Sequence, residues 1–124
     1  MTTLMTTTFN ANELDDDQKI DVVKLQEAIH CCYLMNRDGR YTPEQQGNYL
    51  AHARVLRDEL KVLQDKFFEK GMQEVSDANK KIEQVNDETK KALKKIEHSA
   101  ETIKNLGALA QQLSNLISII GLVV

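Results

Sequence analysis

Tryptophan is absent, proline occurs once, and Phe and Tyr supply three residues each in a chain of 124. So few aromatics exclude a stacking platform for bases and leave the core to be built from aliphatic side chains. One proline and five glycines leave little punctuation, which favours long helices over a turn-rich β architecture. Cysteine is limited to Cys31 and Cys32. Adjacent cysteines on a helix point about 100° apart, so a framework of stabilising disulfides is excluded and the pair is expected as half-buried apolar side chains. No large excess of either charge exists: 16 Lys and Arg against 19 Asp and Glu give a net charge of −3. A nucleic-acid partner is therefore not expected. No run is apolar enough to read at once as a membrane span, and the first residues carry neither the basic nor the apolar region of a Sec-type signal peptide.

Chemistry-bearing constellations are missing too. His30, His52 and His98 have no convergent His or Cys neighbours at ligand spacing, so no metal is expected. Asn36-Arg37-Asp38-Gly39-Arg40 has part of the look of a calcium loop but lacks its twelve-residue ligand spacing and terminal Glu. There is no phosphate-cradling glycine loop, no activated nucleophile and no paired-carboxylate context, hence no cofactor and no enzymatic activity is expected.

What is present is helical. The expected fold class is all-α, a helical hairpin followed by a long coiled-coil-forming helix that changes winding or breaks near Gly71. Residues 1–12 are uncharged and five of them are Thr, which reads as a disordered or extended tail or as an uncleaved export signal of a specialised secretion machine. Helix 1 is expected from about Asp15 to Asn36, with Asp15, Asp16 and Asp17 at its N-terminus, and with Val22, Leu25, Ile29 and Cys32 as one stripe that Ile20, Val23, Ala28 and Met35 widen. Asn36 to Tyr41 is a turn. Thr42, Pro43 and Gln45 then form a helix start in which three independent preferences agree: N-cap hydroxyl, proline at N1, and glutamine at N3.

From there two registers run. Ala53, Leu56, Leu60, Leu63 and Phe67 form the first, and positions from Val75 to Val124 hold three-four alternation for seven heptads. The two are offset by one residue around Gly71, where Ser76 and Asp77 could cap a new helix. Unbroken, the helix would span about 115 Å and would need a partner along its length. Asp77 to Lys104 is densely charged with both signs and is expected to be a solvated face.

Residues 105–124 mark the sharpest change of composition: twenty residues without a charge in a chain that is 28% charged. On a helical wheel Leu106, Leu109, Leu113, Leu116, Ile117, Ile120 and Val124 fill one arc and form the expected interaction surface. Ala110, Ser114 and Ser118, each four apart, form a stripe suited to close helix packing. Three domains follow: the tail 1–12, the hairpin and coiled-coil region 13–104, and the amphipathic helix 105–124. The chain is expected to act without catalysis, by self-association or by binding another helical protein through 105–124, as a subunit of a larger and secretable assembly. One alternative is a membrane-active or pore-forming component whose residues 105–124 insert into a bilayer. Another is a soluble helical adaptor or chaperone. The compartment is open. In outline, an uncharged Thr-rich start, a helical hairpin and an uncharged amphipathic end are similar to subunits of type III secretion needles and filaments and to helical pore-forming components. The likeness is one of architecture, with no diagnostic motif matched.

Overall fold

The computed structural model describes residues 18–123, and within them the protein is all-helical. Four α-helices follow in order: α1 (Val22–Asn36), α2 (Pro43–Leu63), α3 (Gln73–Lys94) and α4 (Ser99–Val123), with a 3₁₀ turn at Ile96–His98 between the last two. The Thr-rich tail 1–12 and the acidic Asp15–Asp17 lie outside the described residues. Within them, α1 begins later than the run of aspartates implied, at Val22. Its N-cap is Asp21, whose carboxylate accepts from the Lys24 N–H at 3.1 Å.

Each helix touches two others. α1 packs on α2 and α3, and α4 packs on α2 and α3, so α1 and α4 occupy one diagonal of the bundle and α2 and α3 the other. Asp21, Lys24 and Glu27 meet Asn79, Glu83 and Lys90 in the same order along both helices, so α1 and α3 run parallel. Tyr33 bonded to Arg57, and Asn36 bonded to the Gln46 carbonyl, make α1 and α2 antiparallel. The core is one continuous aliphatic cluster, with Leu25, Met35, Tyr49, Leu56, Leu63, Ile82, Leu106, Leu109 and Leu113 fully enclosed.

Local chemistry explains the first connection. Thr42 Oγ1 accepts from the Gln45 N–H at 3.1 Å while Gln45 Oε1 accepts from the Thr42 N–H at 3.3 Å, a complete capping box with Pro43 at N1. The preceding turn is held by Asp38, whose side chain accepts from the Arg40 backbone at 3.0 Å, and by Gln46 Nε2 donating to the Asp38 carbonyl at 2.8 Å. Gly39 is not required there for a left-handed backbone. The glycine in that conformation is Gly71 (φ +83°), which turns the chain from the α2–α3 connection into α3.

That connection, residues 64–72, crosses the diagonal from α2 to α3 and is pinned by the Phe68 N–H donating to the Gln18 carbonyl at 2.8 Å. It corrects two expectations. Phe67 continues the leucine stripe by spacing, yet it is 66% exposed beneath the Lys19 ammonium, 5.0 Å from its ring centroid, while Phe68 is the buried neighbour. The helix ends at Leu63, so the three-four count stops applying four residues before Phe67. Neither Ser76 nor Asp77 is the cap of α3. That helix begins at Gln73, behind Met72, with no side-chain cap. Val23 is also turned out to solvent (64% exposed) rather than widening the α1 stripe.

The larger correction concerns the long register. Its spacing continues without a break through Ile96, but the helix stops at Lys94, and Lys95 adopts an extended backbone (φ −134°, ψ 110°). No glycine or proline marks the place. The reason is tertiary: the Tyr41 hydroxyl donates to the Ala92 carbonyl, and Arg40 Nη2 donates to the Leu93 carbonyl at 2.6 Å. Two of the four carbonyls that a helix end leaves unpaired are thereby satisfied from the α1–α2 turn. Ile96 becomes exposed, and α4 folds back antiparallel to α3. Tyr41→Phe, which keeps the ring and removes the donor, should lower stability to urea by roughly 0.5–1.5 kcal/mol through the orphaned Ala92 carbonyl. An unchanged urea midpoint would show that this carbonyl does not need its partner.

Candidate functional site

The seat of α4 on α2 and α3 is the region that bears on function. Its inner arc is enclosed by the chain itself: Leu106, Leu109 and Leu113 are fully buried and Leu116 is 1% exposed. Ile117 and Ile120 are partly buried against the same core, and Val124 lies outside the described residues. The apolar arc, expected as an interaction surface, is therefore not an open surface in the folded monomer. The return of the chain at Lys95 supplies the cover. Of the small-residue stripe, Ala110 is partly buried, and Ser114 and Ser118 are exposed. Close packing falls instead at Gly107, where a Cβ would stand 3.6 Å from the His52 ring of α2.

Polar ties are distributed unevenly. α1 and α3 are laced together: Asn79 accepts from the Asp21 N–H at 2.7 Å and donates to the Lys19 carbonyl at 2.9 Å, Lys24 meets Glu83 at 3.0 Å, and Glu27 accepts from Asn86 at 2.9 Å and Lys90 at 3.2 Å. Bonding to Asn86 and Lys90 holds the Glu27 carboxyl below its ordinary value. Among the described residues, α4 joins its neighbours through polar groups near its start. Ser99 bonds to the Tyr49 hydroxyl at 2.8 Å, and Asn105 donates to Glu88 at 2.7 Å. Beyond Asn105, among the described residues, no ion pair or hydrogen bond ties an α4 side chain to another helix. Gln111 to Asn115, at 3.1 Å, is internal. Three buried oxygens have no hydrogen-bond partner among the described residues: Oε1 of Gln112, Oε1 of Glu59 on α2, and Oδ1 of Asn86 on α3.

Glu59 is 8% exposed, and burial alone raises its carboxyl from near 4.5 to about 7. It lies two turns after His52, which is half-buried beside Gly107 and has its own value lowered by burial. Position 59 therefore faces α4 as position 52 does. No feature of the spacing had marked it, because a single Glu among the charged residues of α2 reads as solvated. The only signal was its place three residues after Leu56, next to the leucine stripe.

The remaining chemistry is spare. Cys31 and Cys32 are buried free thiols, and desolvation pushes Cys32 up to about 12 and Cys31 upward as well. Among the described residues no group of three or more His, Cys, Asp or Glu could hold a metal ion, and no helix is long and apolar enough to cross a membrane. An open groove of about 510 Å³ between the start of α1 and α3 is walled by Lys19, Lys24, Asn79, Lys80 and Glu83, charges of both signs that partly pair within the wall. No protein-family model, no curated protein and no solved structure matches the chain.

Leu109→Ala should destabilise the fold by about 2–5 kcal/mol in urea unfolding, whereas Val23→Ala on the exposed side of α1 should stay within about 0.5 kcal/mol. Equal losses would contradict the burial of α4. The thiols of Cys31 and Cys32 should resist an aromatic disulfide reagent near pH 8 in the native protein and react on unfolding. Prompt native reaction would show that the α1 core is open.

Proposed function

We propose that this protein is non-enzymatic and works by helix–helix association, with α4 from Leu106 onward as the exchangeable element. In the closed monomer its apolar arc completes the core. Released, the same arc seats on a second copy or on another helical protein. The three-four register of Val75–Val124 then supplies a coiled-coil seam, and the chain becomes a subunit of a larger assembly. The observation that carries this is the contrast in polar ties. α1 and α3 are bound by directional bonds that no foreign partner would reproduce, while α4 beyond Asn105 is held by apolar packing. Apolar packing is non-directional, so another apolar surface can replace it with little polar cost.

The test has two measurements. Native-state hydrogen exchange should show the amides of residues 106–121 opening about tenfold or more ahead of those in α1 and α3. Sedimentation of the full chain from micromolar to near-millimolar concentration should show mass growing beyond 14.1 kDa. A fixed single-chain mass, with α4 exchanging only through global unfolding, overturns the proposal. Flotation with lipid vesicles without growth in mass also overturns it, because the acceptor would then be a bilayer.

A further inference from the structure

We propose that Glu59 acts as a proton-operated latch on the α2–α4 seam: protonated, its carboxyl lets α4 stay seated, and ionised, it loosens α4 and favours release as pH rises. The latch rests on the proposal that α4 is the exchangeable helix, and supplies its control.

The geometry carries it. The side chain is 92% enclosed and one of its oxygens is buried without a partner; helical periodicity sets it on the same face of α2 as His52, which meets Gly107 in the part of α4 that carries no charge. A neutral carboxyl sits in such a place at modest cost. A carboxylate there has no counter-charge and has lost most of its water, one oxygen entirely. The surroundings offer no rescue. From α4, the ionisable residues Glu101 and Lys104 are exposed and precede Asn105, and none follows. From α1, Cys32 is a buried thiol that interacts with Tyr49 of α2, His30 is exposed, and the Tyr33 hydroxyl accepts from Arg57. On α2 itself, His52 stands two turns back, and Asp58 is exposed and pairs with Arg57 at 3.7 Å. Asp65, Lys66, Glu69 and Lys70 of the following connection are all exposed. α3 lies across the diagonal, and its backbone does not approach that of α2.

The direction follows from proton linkage. In the unfolded chain Glu59 ionises near 4.5, whereas in the fold it keeps its proton to about 7. Between those values the folded state binds more protons, so its advantage shrinks as pH rises and then levels off above about 7. His52, with its value lowered, works in the opposite sense below its ordinary 6.5, so the measurement must isolate Glu59.

Hydrogen exchange, corrected for the intrinsic rate at each pH, should be compared at about pH 5.5 and about pH 8 for the wild type and Glu59→Gln. In the wild type, protection of residues 106–121 should fall on the order of tenfold between the two conditions, and in Glu59→Gln the fall should vanish while His52 remains. Glu59→Met serves as a second neutral variant should the amide be poorly accommodated. Identical pH responses in wild type and variants overturn the latch, even where α4 still opens first and the association proposal stands. A Glu59-dependent response spread equally over all four helices overturns it too, and there it is the exchangeability of α4 that has failed.

Discussion

Where α3 ends decides the shape of this molecule. Its last turn projects the carbonyls of Ala92 and Leu93, and the side chains that receive them, Tyr41 and Arg40, come from a turn some fifty residues earlier. Arg40 is itself fixed by Asp38, at 2.6 Å, so the receiving group is held in place before it meets its acceptor. With those carbonyls satisfied, the chain is free to leave the helix at Lys95, and Ser99 drops into the core to meet Tyr49. Tyr41 and Tyr49 also pack edge to ring, with centroids 5.5 Å apart, so one small cluster joins the α1–α2 turn to the α3–α4 reversal. Without that reversal the hydrophobic arc of α4 would continue away from the body along the α3 axis.

The reversal yields a bundle of two differently held halves. α1 and α3 run parallel with a line of charged and amide side chains across their outer seam, each pair weak alone and geometrically specific together. α2 and α4 also run parallel, but beyond Asn105 no side-chain hydrogen bond or ion pair among the described residues joins α4 to its neighbours, and its buried residues there are leucines. The uncharged part of α4, from Asn105 onward, is well suited to such a seat, since it brings no desolvated charge of its own. The same property makes it the helix whose contacts are easiest to reproduce elsewhere. Glu59 stands out against this background because every other carboxylate of the described residues is more exposed to solvent, and several of them meet a cation or an amide.

Much of the architecture is legible from local chemistry. Thr42, Pro43 and Gln45 announce the start of α2 because capping depends on residues within one turn of each other. The stripe Ala53, Leu56, Leu60 and Leu63 announces its buried face for the same reason, as do Val75, Ala78, Ile82, Val85, Thr89 and Ala92 in α3. Misplacements occur where periodicity outlasts the helix that produces it. Phe67 follows the count but lies past the end of α2, and Ile96 follows it but lies in the reversal. A three-four pattern records which face of a helix is apolar. It carries no information on whether the helix is still running, since two helices joined by a tight turn can share the phase.

The amino-acid sequence alone determined that this chain is helical, where its second helix starts, and that its final segment is an uncharged amphipathic helix. Each of these depends on residues within a turn or two of one another. Only the tertiary structure decided that the final helix finds its cover inside the same molecule, that the third helix stops at Lys94, and that Glu59 is enclosed without a partner. Those outcomes depend on groups fifty residues apart meeting in space, and no local spacing encodes such a meeting.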